Sequence, residues 1–319
     1  MTTIAYQASH EQFRPSELLA WAVRAEKAGF GAVNSSDHFH PWSERQGQSG
    51  YSFSWLGAAM QATSIPFGVV CAPGQRQHPA IVAQAAATLC ELFPDRFWMA
   101  LGSGEALNEK ITGEKWPEKG ERNARLLECT EVMRRLFRGE TVTHSGTIKV
   151  EGARLYTLPA KAPPLIGAAV TKETAGWLGA WADGLLTVHQ PLEDLKKVVD
   201  AFRKGGGAGK PLYLKVQLSY ARTAEEALQG AHDQWRTNIF QGTVLGDLWK
   251  VAHFDTAAQF IRPEDMFKMV HISADPGEHL GWIRQYIDMG FEKIILHNVN
   301  RNQETFIDDF GEKVLPFLK

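Results

Sequence analysis

Short runs of β-branched and aliphatic residues alternate along the chain with longer stretches whose apolar positions recur at three- and four-residue spacing. The first pattern is that of buried strands, the second that of helices with one apolar face. Strands are predicted at 3–8, 32–36, 67–72, 97–102, 165–169, 184–188, 212–219 and 293–297. Helices are predicted between them near 16–28, 54–63, 79–92, 120–138, 171–182, 192–204, 223–239 and 276–289, with a last one near 302–318. Strands each followed by a helix give a parallel sheet covered by helices, and eight such rounds predict an α/β fold of the (β/α)8 TIM-barrel kind. In that fold the active site lies at the carboxyl ends of the strands.

Two stretches interrupt the repeat. Alternating Thr141, Val142 and Thr143, then Ile148, Val150, Leu155 and Tyr156 around Gly146, predict a β-hairpin inserted at about 140–158. Residues 240–265, with Trp249, His253 and Phe254, form a long insertion before the last units and are expected to cover the mouth as a lid. No tandem repeat, low-complexity tract or linker divides the chain, so residues 1–319 are expected to form one barrel domain.

Composition narrows the partners. With 34 basic and 36 acidic residues the formal charge is -2, which gives no electrostatic footprint for nucleic acid or an anionic membrane. The expected partner is a small-molecule substrate. Cys71, Cys90 and Cys129 are isolated, odd in number and lack CxxC spacing, which argues for reduced thiols in a cytoplasmic protein. The amino terminus has no basic-then-apolar leader, and no run of eighteen apolar residues occurs, so neither export nor membrane insertion is expected.

If the barrel is right, the residues following each strand converge in space. They are His10 and Glu11; Asp37, His38, His40 and Trp42; Gln75 and Arg76; Glu105 and Asn108; Thr171 and Lys172; His189; Tyr220 and Arg222; Asn298 and Asn300. His38 beside Asp37 has the chemistry of a tuned acid/base, although a histidine capping the next loop is the plainer alternative. Glu105 follows two glycines in Gly102-Ser103-Gly104 and fits either a proton donor with a raised pKa or a helix-capping carboxylate. Asn108 has the groups to hydrogen-bond a heterocycle. The HxH pair of His38 and His40 invites a metal, but of the further ligands such a site requires only His189 is well placed, the last strand ends in Asn298 where an aspartate would be wanted, and no metal is expected. Trp42 and Trp55 are candidates for a pocket wall.

Three blocks carry a resemblance: Ser36-Asp37-His38-Phe39-His40-Pro41-Trp42, His78-Pro79-Ala80-Ile81-Val82-Ala83-Gln84-Ala85, and Gly104-Glu105-Ala106-Leu107-Asn108-Glu109. With these at their spacing the chain resembles the luciferase-like flavin and deazaflavin oxidoreductases over nearly its whole length, in the branch of the coenzyme F-420-dependent glucose-6-phosphate dehydrogenases. The resemblance implies a TIM barrel and a catalytic His38 that handles the substrate proton as hydride leaves. It places Glu105 near ring nitrogen N1, Trp42 against the reacting centre, Glu11 at the substrate end, and Asp37 and Asn108 on the ring system. It also implies a cis peptide at Val69-Val70 forming a bulge against the ring beside Ala72, and a phosphate-holding turn at Ala168, Ala169, Val170 and Thr171.

The departures shape the expected substrate and cofactor. Of the spaced basic residues that the branch uses for a sugar phosphate one remains near Lys197, while Thr256 and Trp282 stand at the others, so glucose 6-phosphate is not the expected substrate. Ala169-Val170-Thr171-Lys172 replaces a Gly-Gly turn, and the chain is more similar still to a sub-branch of flavinoid oxidoreductases set apart from the F-420 users. FMN is therefore the first expected cofactor, with coenzyme F-420 the alternative, in an enzyme exchanging hydride with a small organic substrate. The rival expectations are a two-component luciferase-like monooxygenase served by a separate flavin reductase, and a non-catalytic flavin-binding protein. The family also implies a homodimer.

Overall fold

In the computed structural model, which describes residues 2–240 and 242–318, eight parallel strands close on themselves. Residue 241, inside the predicted insertion, lies outside the described residues. The barrel strands are β1 (Thr3–Ala8), β2 (Ala32–Ser36), β3 (Phe67–Cys71), β4 (Phe97–Leu101), β7 (Leu165–Ala168), β8 (Leu185–Val188), β9 (Leu212–Tyr220) and β11 (Lys293–Asn298). Each pairs in parallel with the next in that order; β8 pairs with β9, β9 with β11, and β11 with β1, which closes the ring. The predicted hairpin is β5 (Val142–Ser145) against β6 (Lys149–Ala153), antiparallel. One strand was not foreseen: β10 (His271–Ser273) adds outside the barrel to the overlong end of β9. Three residues are too few for a periodicity to declare itself.

The helices follow the strands as α1 (Pro15–Ala28), α2 (Ser52–Gln61), α3 (Pro79–Leu92), α4 (Ala106–Glu109), α5 (Lys119–Phe137), α6 (Lys172–Gly179), α7 (Leu192–Phe202), α8 (Ala224–Trp235), α9 (Gly242–Asp247), α10 (Val251–Ala258), α11 (Pro276–Asp288) and α12 (Gln303–Lys313). Among the described residues no helix is long and apolar enough to cross a membrane. The insertion consists of α9, α10 and a 3-10 turn at Pro263–Lys268. Phe254 of α10 packs on Trp42 with ring centroids 5.3 Å apart, so the insertion leans on the loop after β2.

Strand alternation divides the apolar residues into two sets. Outward residues such as Tyr6, Val33, Val69, Met99, Leu214 and Val216 join the core beneath the helices. Inward residues, among them Ala5, Ala32, Trp98, Ala100, Ile166 and Tyr213, fill the barrel. Trp98 and Tyr213 meet edge to face at 5.1 Å and close its amino-terminal end. Gly68 makes room for this plug, since a Cβ there would stand 2.0 Å from two atoms of the Trp98 indole.

The expected cis peptide at Val69-Val70 is absent; no described peptide bond is cis. The segment runs as a regular ladder, Ser35 and Ser36 pairing with Val69 and Val70 on one side and Met99 and Ala100 on the other. The Asp37 amide donates to the Val70 carbonyl at 3.0 Å, which continues the trans pattern past the end of β2.

The barrel floor gives a test. Gly68→Ala forces a rigid indole to move and should cost about 1–3 kcal/mol, read as an earlier midpoint in urea unfolding. An unchanged midpoint would show slack around Trp98.

Candidate active site

The mouth is organised by Glu11, which follows β1 and is almost wholly buried. Its Oε2 accepts from Ser9 Oγ at 2.9 Å and from Ser36 Oγ at 3.0 Å, and its Oε1 lies 3.1 Å from His38 Nδ1, off the line of a true hydrogen bond. Burial alone would raise the carboxyl pKa. The His38 imidazole, the Lys215 ammonium, its own backbone amide and the Ser36 hydroxyl outweigh that and bring it from near 4.5 down to about 2. Glu11 is thus a fixed anion behind one nitrogen of His38.

The other nitrogen faces Glu105. His38 Nε2 is 3.8 Å from Glu105 Oε2, and both side chains open on the cavity, His38 at 18% and Glu105 at 36% exposure. Glu105 shifts the opposite way from Glu11: desolvation raises its pKa against the lowering influence of His38, and the Glu11 charge adds to the rise. Two carboxyls on either side of one imidazole are therefore tuned apart, one held ionised and one inclined to keep a proton. Gly104 sets up this placement at φ +83, where a Cβ would meet Glu109 Cγ at 2.9 Å.

The His38 loop is held from two sides. Asn108 Oδ1 accepts from the amides of Phe39 (2.9 Å) and His40 (3.1 Å), and His40 Nδ1 contacts Leu107 O at 2.9 Å. Trp42 lies edge-on to His38 at 5.3 Å and is buried among Leu107 and Phe254. Asp37 turns inward, its Oδ2 bound to Arg76 Nη2 at 2.7 Å and to Gln77 Nε2, and Glu109 accepts from the Arg76 amide at 2.8 Å. One expected ring contact is corrected here: Asp37 is buried in an ion pair and positions the site rather than lining it. Asn108 uses its oxygen on the His38 loop, and its Nδ2 makes no hydrogen bond to a described residue.

The remaining candidates sort by strand parity. Val70, Ala72 and Ala168 face inward with Gly102, whereas the side chains of Val69 and Ala169 point outward into the helix-packed core, so these two could meet a ligand only through their backbone. Val170 and Thr171 are exposed at the start of α6, where Thr171 Oγ1 accepts from the Thr174 amide at 3.3 Å. Trp55 is not a pocket wall; it lies under the barrel against His10 (4.9 Å) and Phe67. His10 is buried and pushed by desolvation to about 4, so it is neutral. Tyr220 and Arg222 both engage Asp309, and Asn298 caps the Tyr220 amide. Among the described residues no three His, Cys, Asp or Glu side chains gather as a metal site.

Two inward residues of β9 escaped the sequence reading. Lys215 and Gln217 share the inward parity of Tyr213, and both are partly open to the cavity. Their signal was available: a lysine and a glutamine two apart in Leu212–Tyr220, a strand whose other faces are apolar or buried.

A barrel mouth that holds a histidine between two differently tuned carboxyls, beside a wall of small side chains, has the groups to move a proton at a reacting centre. The chain belongs to the luciferase-like monooxygenase family, whose model matches residues 1–293. It is 34% identical to a protein of Intrasporangium calvum named F420-dependent glucose-6-phosphate dehydrogenase, covering 100% of this chain and 99% of that one. A dehydrogenase of the same name from Nakamurella multipartita is 34% identical over 98% of this chain and 96% of its own length. Among solved structures, an F420-dependent secondary alcohol dehydrogenase in complex with an F420-acetone adduct superposes with TM-score 0.91 at 29% identity, covering 100% and 99% of the two chains. A coenzyme F420-dependent tetrahydromethanopterin reductase from Methanopyrus kandleri shares the fold, with TM-score 0.80 at 18% identity over 100% and 99% of the chains.

Glu11 sets a pH signature. Its contribution to stability is full above its ordinary value near 4.5 and is lost as pH falls toward 2. Between pH 6 and pH 3 the native protein should lose about 2 kcal/mol more unfolding free energy than Glu11→Gln. Equal losses in urea titrations would show that Glu11 is not held ionised.

Proposed function

We propose that the protein is a coenzyme F-420-dependent dehydrogenase that oxidises a small alcohol to the carbonyl compound. The observation that carries the reading is the His38 imidazole held between buried Glu11 and cavity-facing Glu105. The cavity residues fit a flat ring: Val70, Ala72, Gly102 and Ala168 make a low wall, and a Cβ on Gly102 would meet nothing nearer than Ala168 Cβ at 4.0 Å. The exposed Val170-Thr171 turn at the start of α6 offers backbone amides to the phosphate-bearing side chain of such a coenzyme. The expected first choice of FMN finds no support among the relatives, whose names favour the deazaflavin. When bound, that coenzyme supplies a two-electron hydride acceptor.

The protein's own part is proton handling. His38 Nε2 takes the hydroxyl proton as the carbinol hydrogen departs, and Glu11 stabilises the imidazolium through Nδ1. Glu105, whose proton affinity burial raises, stands on the opposite side of the reacting atoms. Trp42 and the helices of the insertion keep water from that side.

A small alcohol suits this mouth better than a sugar phosphate. Lys197 sits 61% exposed on α7 with Nζ 2.8 Å from Asp194, and Trp282 is stacked flat on His271 at 4.3 Å. Neither is set to hold a phosphate dianion. The secondary alcohol dehydrogenase among the solved structures supports the same class, while the names of the sequence relatives make glucose 6-phosphate the necessary control.

Titration with coenzyme F-420 and with FMN, followed by fluorescence, should show tighter binding of the deazaflavin. With propan-2-ol, butan-2-ol and glucose 6-phosphate offered in turn, loss of the coenzyme's absorbance should be fastest with an alcohol. His38→Ala should lower kcat by about 10²–10⁴ with little change in coenzyme affinity. Tighter binding of FMN, or a long-lived peroxide absorbance when the reduced FMN form meets oxygen, would favour the monooxygenase instead.

A further inference from the structure

Strand β9 places two hydrogen-bond donors inside the barrel, the Lys215 ammonium and the Gln217 amide, that no described residue accepts from. Leu214, Val216 and Leu218 pack outward beneath the helices, so Tyr213, Lys215 and Gln217 project inward. Tyr213 belongs to the apolar floor; Lys215 and Gln217 stand above it, toward the mouth. Among the described residues the Lys215 ammonium makes no hydrogen bond and has no carboxylate within 4.0 Å, although Glu11, Glu105 and His297 all lie within its electrostatic reach. Gln217 Oε1 lies 2.8 Å from His189 Nδ1, the nitrogen that also accepts the Gln217 backbone amide at 3.2 Å, and no described acceptor takes the side-chain NH2. A charged amine costs several kcal/mol to desolvate, so a lysine with no partner in a barrel is an incomplete site.

We propose that Lys215 and Gln217 form the anion-binding end of the substrate pocket, and that the substrate is a hydroxy acid whose carboxylate they bind while His38 works on its hydroxyl. The inference rests on the dehydrogenase reading above and specifies its substrate. Two donors at successive inward positions of one strand match the two oxygens of a carboxylate. The local charge selects a monoanion. Burial lowers the proton affinity of Lys215 against the raising influence of Glu11 and Glu105, and Glu11 stays ionised beside it, so a single ammonium opposed by one carboxylate suits one added negative charge better than the two of a phosphate dianion. The competing role for Lys215 is that of a counter-ion to Glu11 alone, which makes no distinction among substrates.

The test compares lactate, 3-hydroxybutanoate and 4-hydroxypentanoate with their uncharged amides, using the full-length protein and coenzyme F-420. In the native enzyme at least one acid should exceed its amide about tenfold or more in kcat/KM, and in Lys215→Met that ratio should fall to near one. No acid exceeding its amide, or a preference that survives Lys215→Met, would overturn the proposal. Coenzyme-free protein gives an independent readout: butanoate should raise the melting temperature of the native protein where butanamide does not, and Lys215→Met should abolish the effect. The native protein alone still decides if the variant fails to fold, because equal effects of butanoate and butanamide would also overturn the proposal. Lys215-dependent butanoate binding in a protein that ignores coenzyme F-420 would sink the dehydrogenase reading and leave this site standing.

Discussion

Everything at the mouth depends on keeping one carboxylate charged where water cannot reach it. Removing an ion from water costs several kcal/mol, and Glu11 offsets the loss with two serine hydroxyls, a backbone amide, an imidazole and the field of Lys215. The partners come from separate strands, so the arrangement is only as good as their register. Ala8 faces Ser35 across β1 and β2. A slip of one residue would turn Ser36 away from Glu11 and leave the anion short of a donor.

The loop after β2 is then held by contacts that have nothing to do with chemistry. Asn108 clips two of its amides, Arg76 binds the carbonyl and carboxylate of Asp37, and Phe254 presses Trp42 from the insertion. Breaking a buried pair such as Arg76 with Asp37 by removing one partner costs about 3–5 kcal/mol, because the survivor is left charged and dry. His38 can thus remain partly open to the cavity while its backbone is fixed.

The fold was legible because each barrel strand is a short apolar run bounded by turn residues, and hydrophobic periodicity survives any tertiary detail. The convergence of Glu11, His38, Trp42 and Glu105 followed from their places after strands. Which way a side chain turns did not: Asp37, placed on the ring by the resemblance, is claimed by a buried ion pair with Arg76. Val69 and Ala169 are separated from the cavity by one step of strand parity, which is invisible where neighbouring residues are equally apolar. Lys215 was missed for the converse reason, since a lysine within a strand reads as a solvent-facing residue until the strand is known to be enclosed on both sides. Short β10 and four-residue α4 fall below the length at which any period can be counted.

The charges in the cavity also limit what chemistry it can support. Glu11 is ionised, Lys215 opposes it, and Glu105 is the carboxyl whose surroundings favour protonation. His38 is the group on which a proton can arrive beside an anion already in place. Positive charge gained by His38 is matched by Glu11 at 3.1 Å, and Glu105, whose proton affinity burial raises, stands on the far side where negative charge develops. Taking a proton from the hydroxyl and a hydride from the carbon of one neutral alcohol passes through that pair of opposite charges. A site with both carboxyls ionised would favour the first and oppose the second, so the unequal tuning of two chemically identical groups suits the proposed oxidation.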